Sequence, residues 1–254
     1  MPTSQIAAQL YTLREFTKTP ADVATTLKKV KRIGYEAVQC SGMGKIDPKE
    51  LATMLRDEGL TCCATHVPLE RMKNETQAVI DEHKLWGCKY TAVGGFFPKN
   101  PTVQDWHTFA RDYNAVAGQF KGSGLELGYH NHSHELARFD GKTGLQILLG
   151  ELDESIWWEI DTYWIVHGGA DPIEWIRKVR GRMPCVHLKD MAITPERQQL
   201  MAEVGEGNLN WPGILAACRE IGVQWYIVEQ DICQRDPFES LKISLENLKG
   251  MGVA

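Results

Sequence analysis

The chain has 254 residues, 43% of them apolar and 24% charged, with a formal net charge of −5. This composition matches globular averages and excludes extended disorder, and no apolar run approaches the ~18 residues of a spanning helix. The acidic balance argues against a protein that tracks nucleic-acid phosphates, and the opening segment MPTSQIAAQLYTLREF lacks the basic and apolar regions of a secretory signal.

Short apolar runs alternate with amphipathic stretches along the whole chain. The first run is Ile6–Leu13. A helix is predicted after Pro20, where Val23, Leu27, Val30 and Ile33 form one stripe that Gly34 ends. Ala37–Gly42 precedes a helix from Pro48 to Glu58, and Thr61–Val67 precedes one from Glu70 to Leu85. Tyr90–Gly95 leads through a proline-marked loop into a long helix ending near Phe120. Leu125–His132 is followed by a short helix over Leu145–Leu149, and Trp157–Trp164 by a helix starting at Asp171-Pro172. Pro184–Met191 precedes a long loop and a helix over Pro212–Ile221; Trp225–Asp231 precedes the last helix, Pro237–Lys249. Eight such units imply parallel strands with helical crossovers. At this length the α/β reading is a (β/α)8 barrel, one domain over residues 1–254, with no Gly/Pro/Ser linker to divide it.

The seven cysteines are unevenly spaced and form no CxxC pair, so they predict buried, reduced thiols in a cytoplasmic protein rather than a zinc cage.

In a barrel of this kind chemistry collects at the C-terminal strand ends. Ligand-type residues fall there. They are His66 after strand 3; His130, Asn131, His132, His134 and Glu135 after strand 5; Asp161 after strand 6; His187, Lys189 and Asp190 after strand 7; and Glu229 and Asp231 after strand 8. Residues two apart in a strand share a face, so His130 with His132, His187 with Lys189, and Glu229 with Asp231 point the same way. Mixed imidazole and carboxylate donors suit a divalent metal ion such as Mn, Mg, Co or Zn. Asp161, His187 and Glu229, from three successive strands, make the strongest set. The fourth ligand should be Glu135 or His130. Each has a plainer alternative: a helix cap for Asp161, a satisfied core histidine for His187, a surface loop position for Glu135. Glu229 has none so good, because an unpaired carboxylate in an apolar strand is costly. The tryptophans read mainly as core, with Trp164 a candidate floor for a sugar pocket. The segment Glu203–Trp211 carries two glycines around Glu206; it reads as a turn capped by Asn210, with Glu206 left as a candidate contact to substrate.

These residues carry a resemblance. GYHNHSHEL (128–136), WEIDTYWIVHGGADP (158–172), VHLKD (186–190), VGEGNLNW (204–211) and YIVEQD (226–231) resemble the sugar phosphate isomerase/epimerase family, the xylose-isomerase-like TIM barrels. That superfamily also holds ketose 3-epimerases, inosose dehydratases and the type IV endonucleases. The resemblance implies a metal held by Glu, Asp, His and Glu from strands 5 to 8, of which Asp161, His187 and Glu229 match. At strand 5 this chain has His-Asn-His, with Glu135 just beyond, a form similar to dehydratases and lyases acting on oxidised sugars or cyclitols.

The implied chemistry belongs to carbohydrate metabolism: proton abstraction α to a carbonyl, through an enediolate stabilised by the metal. His130 or His132 would serve as base and Lys189 would stabilise negative charge, with His66 and Glu206 binding hydroxyl groups. His167 is a weaker candidate for such a contact. The leading expectation is a sugar isomerase or epimerase. Its alternative is a dehydratase or lyase on a keto-sugar or inosose. A DNA-repair endonuclease would need more ligands and a basic groove, and a non-catalytic sugar-binding barrel would need no metal. Expected partners are a small sugar or cyclitol, with no nucleic acid and no membrane; a homo-oligomer would have to form through loops or helices.

Overall fold

The computed structural model describes residues 5–254. Eight parallel strands close into a barrel: β1 (Ile6–Gln9), β2 (Ala37–Cys40), β3 (Thr61–His66), β4 (Tyr90–Val93), β5 (Glu126–His130), β6 (Trp157–Asp161), β7 (Cys185–Leu188) and β8 (Trp225–Val228). Each pairs with its sequence neighbour, and β8 closes on β1 through Ile6 opposite Tyr226. The expected barrel is therefore present.

The helices start where local chemistry dictates. In α1 (Pro20–Ile33), Thr19 and Asp22 form a capping box, and Gly34 ends the helix with φ +114°. Asp47 caps α2 (Pro48–Asp57), Asp171 caps α8 (Pro172–Lys178) and Asp236 caps α10 (Pro237–Gly250); each is followed by a proline that needs no N–H partner. Asn210 caps α9 (Trp211–Ile221) through Gly213 N–H, as the sequence suggested.

Several boundaries differ from expectation. The first strand stops at Gln9, and Leu10–Phe16 winds into a 3-10 turn. The helix expected over 70–85 is two, α3 (Leu69–Asn74) and α4 (Thr76–Trp86), broken at Glu75. A further helix, α7 (Thr162–His167), starts immediately after β6, because Asp161 caps it. The long loop after β7 contains a hairpin, Asp190–Ile193 with Gln199–Ala202. The two remaining helices, α5 (Val103–Phe120) and α6 (Gly144–Glu151), lie where periodicity placed them.

Strand alternation sorts the core into two layers. Outward residues such as Val38, Tyr129, Trp158, Ile160 and Val186 pack under the helices. Inward, Ala7, Ala37, Ala64 and Ala92 leave room that Tyr90, Trp157 and Ile227 fill at one end of the barrel. Gly128 belongs to that fit, because a Cβ there would overlap the Trp157 indole. The seven cysteines are free; six are buried and Cys233 is partly so. Among the described residues no helix is long and apolar enough to cross a membrane.

Candidate functional site

Above the small-residue layer the barrel interior turns polar. Gln9 is the last residue of β1 and Gln39 the third of β2, and both are fully buried. Gln9 Nε2 donates to Gln39 Oε1 (2.6 Å), and Gln39 Nε2 donates to Glu159 Oε1 (2.9 Å). The same Gln39 oxygen lies 2.6 Å from His187 Nε2. An amide oxygen only accepts, so that nitrogen carries the hydrogen and Nδ1 faces the other way. Glu159 Oε2 accepts from His66 Nε2 at 2.6 Å. Burial alone would raise the Glu159 pKa, but His187 and His66 outweigh it and hold the carboxyl well below the usual range.

The next layer joins four strand ends. His130, Asp161, His187 and Glu229 are all buried, and one donor atom from each lies within 4.8 Å of the other three. His130 Nε2 is 3.3 Å from Asp161 Oδ2, and its Nδ1 is 3.3 Å from the Gly94 carbonyl. His187 Nδ1 is 2.9 Å from Glu229 Oε2 and 3.8 Å from Asp161 Oδ2. Asp161 has two roles at once: Oδ1 caps α7 by accepting Trp164 N–H (2.9 Å), while Oδ2 faces the cluster. The cap and the cluster position were offered as alternatives by the sequence; the carboxylate has an oxygen for each.

Lys189 completes the charge pattern. Its buried Nζ lies 3.1 Å from Asp161 Oδ2, 2.7 Å from Glu229 Oε2 and 2.6 Å from Asp231 Oδ2. Burial opposes its charge, but the three carboxylates outweigh that and hold the ammonium well above its ordinary pKa. The same balance holds Glu229 and Asp161 ionised against burial, through Lys189 and the neighbouring histidines. His187 is pushed well up: burial disfavours its charge, and Glu159 and Glu229 win. His132 goes the other way. Burial, then the nearby His130 and Lys189, push it down to about 2.

A cavity of about 730 Å³ opens onto these groups. Its lining includes His66, His130, His132, Lys189, Glu229 and Asp231 together with Val67, Leu69, Phe96 and Phe97. His132 stands against Phe97 and Trp164, with ring centroids 4.8 and 5.3 Å away.

Three expected residues lie elsewhere. Glu135 is buried, but its carboxylate accepts from Tyr129 Oη (2.9 Å) and the His132 backbone N–H (2.9 Å), outside the four-residue cluster. The same phenol accepts the Phe96 N–H, so Glu135 ties the loop after β5 to the loop after β4. Glu206 is exposed, accepts from Asn247 of α10 at 3.0 Å and does not line the cavity. His167 is exposed at the end of α7. Conversely, the sequence reading passed over Glu159, Gln39 and Gln9. Glu159 carried a signal, since it stands two before Asp161 and therefore shares its inward face.

Three observations fit a metal ion at the four-residue cluster. His187 Nδ1 and Glu229 Oε2 are buried 2.9 Å apart without hydrogen-bond geometry between them, and the charge of Lys189 is what meets the Glu229 oxygen in the metal-free chain. The donors are two imidazoles and two carboxylates, a set that suits divalent first-row ions and whose two negative charges balance one. His130 and His187 also each have the other ring nitrogen on an oxygen, as metal-bound imidazoles do.

The molecule is thus a closed parallel (β/α)8 barrel whose C-terminal mouth holds a buried cluster able to take a metal. The family model described as xylose isomerase-like TIM barrel matches residues 27–251, and the chain belongs to that family. It is similar to an inosose dehydratase of Geobacillus kaustophilus, 23% identical across 87% of this chain and 84% of the relative. Among solved structures it is similar to a sugar phosphate isomerase/epimerase from Parabacteroides distasonis: 24% identity, TM-score 0.83, covering 98% of this chain and 94% of the other. It is also similar to a structure described as IOLI protein with a binding zinc atom: 14% identity, TM-score 0.73, covering 97% of each chain.

Proposed function

We propose that this chain is a divalent-metal-dependent isomerase or epimerase of a small sugar or cyclitol, working by proton abstraction α to a carbonyl. The observation that carries the reading is the buried His130, Asp161, His187 and Glu229 cluster at the barrel mouth, whose donor atoms converge within 4.8 Å of one another. These four residues would hold the ion, His130 being the fourth ligand in place of Glu135. When bound, a divalent ion there supplies Lewis-acid polarisation of a carbonyl oxygen. A protein of the same fold is described with a bound zinc atom, which supports a metal in this barrel.

The remaining roles follow from what each side chain can do. His132 lines the cavity beside the cluster with an unpartnered buried Nδ1, and in this reading it is the proton acceptor. Lys189 presents a fixed positive charge that opposes the negative charge growing on the substrate oxygen. His66 lines the cavity with its Nε2 committed to Glu159, which leaves Nδ1, 3.3 Å from Ser41 Oγ, for a substrate hydroxyl. Return of the proton to the neighbouring carbon gives isomerisation; return to the opposite face gives epimerisation.

The inosose dehydratase name of the Geobacillus kaustophilus relative favours a second outcome from the same first step, loss of a β-hydroxyl as water. One experiment addresses both. Metal content is measured by elemental analysis, and ketoses and inososes are then incubated with the loaded protein in D₂O. About one ion per chain and deuterium at the α-carbon are expected. A dehydrated product selects the lyase. No ion after reconstitution overturns the metal site.

A further inference from the structure

Resting on that reading of the site, we infer that the substrate is an uncharged polyhydroxy carbonyl compound, and that the mouth turns away phosphate esters and carboxylates. In (β/α)8 barrels a substrate phosphate usually sits on backbone N–H groups of the loops after strands 7 and 8 and on a nearby helix N-terminus. In this chain the donors of the glycine segment after strand 7 are used internally. Asp190, fully buried, accepts the N–H groups of Gly205 (2.9 Å), Gly207 (3.0 Å) and Leu209 (3.2 Å), and the Trp211 indole N–H at 2.5 Å. The Gly-Glu-Gly segment thus wraps around the chain's own carboxylate. The two helices that follow are closed as well: Asn210 takes the Gly213 N–H of α9, and Asp236 takes those of Phe238 and Glu239 in α10.

The charges on the cavity wall point the same way. The ionic side chains lining it are Glu70, Lys189, Glu229 and Asp231. Lys189 is already matched by three carboxylates. Arg14 approaches the same end of the barrel, but its guanidinium donates to the carbonyls of Tyr11 and Asp231 and does not line the cavity. A divalent ion held by Asp161 and Glu229 would be balanced by them. Lys189 would then face Asp231, with Glu70 in excess. A phosphate dianion entering this cavity meets net repulsion and finds the Gly205, Gly207 and Leu209 N–H groups already taken. A neutral polyol meets imidazoles for its hydroxyls and an aromatic wall for its C–H face.

The test pairs ketoses and inososes with the phosphate monoesters of the same skeletons, on the metal-loaded full chain at low ionic strength. Deuterium incorporation gives kcat/KM for each. The neutral member should exceed its ester by about thirtyfold or more, from one uncompensated charge about 8 Å away at an effective dielectric near 20. An ester equal to or better than its parent overturns the inference. Equilibrium dialysis of labelled inorganic phosphate against the same protein reads the charge preference without turnover, with no saturable binding expected up to about 10 mM. One phosphate per chain bound below about 1 mM overturns the inference whatever the exchange assay shows. If no compound exchanges and no phosphate binds, the sugar chemistry fails while the exclusion of anions stands.

Discussion

Replacing His130 and Glu135 separately should give opposite phenotypes. A tightly held zinc is worth about 10–16 kcal/mol, so one of four donors is worth roughly 3–4 kcal/mol, or two to three decades of affinity. His130→Ala should therefore weaken metal binding by about 100- to 1,000-fold. Glu135 makes no contact with the cluster; it accepts from Tyr129 Oη and the His132 N–H. Glu135→Gln keeps an acceptor but cannot satisfy both partners as well, costing about 1–2 kcal/mol. For a chain of this size that is a fall of about 2–8 °C in Tm. Affinity is measured by competition with a chromophoric chelator, and Tm by circular dichroism of the metal-free protein. The reasoning is refuted if Glu135→Gln lowers metal affinity as much as His130→Ala, or if His130→Ala binds metal like the wild type.

Asp161→Asn and Glu229→Gln should each abolish metal occupancy measured by elemental analysis, while the far-ultraviolet spectrum of the barrel is retained. Metal affinity should rise with pH, because His187 is held protonated in the metal-free chain and must release that proton to bind; calorimetry in buffers of different ionisation enthalpy should show proton release. For the metal-free protein the signs of the shifts define a window. Glu159 and Asp161 are depressed below their ordinary 4.5 and 3.8, so their contribution is present above those values and lost as pH falls through the folded ones. His187 is raised above 6.5, so its contribution is present below that value and lost as pH rises through the folded one. His132 is depressed from 6.5, so stability also falls as pH drops below that value; Tm should therefore peak near 6.5, and a maximum at alkaline pH would contradict the paired network. Gly128→Ala should destabilise the chain by about 1–3 kcal/mol, because the new methyl meets the Trp157 indole; an unchanged Tm would show that the indole moves freely.

The sequence alone determined the barrel and three members of the cluster. Strands and helices announce themselves by local period, and caps such as Thr19, Asp47, Asp171 and Asp236 act on N–H groups two or three residues away. Asp161, His187 and Glu229 were legible because strand ends in such a barrel converge whatever the loops do. Tertiary structure decided what depends on partners far along the chain. Glu135 lay within reach of the site on paper, yet it folds back onto the His132 N–H in a 3-10 turn, which leaves His130 in the cluster. Glu159 sits among tryptophans in sequence, yet closure of the barrel brings it His66 from β3 and His187 from β7. Asp190 shares its strand-end position with the cluster residues, yet it turns outward and gathers the glycine loop. The physical reason is common to all three. A buried carboxylate must find donors, and which donors lie within 3 Å is set by strand register and barrel closure, which local periodicity does not encode.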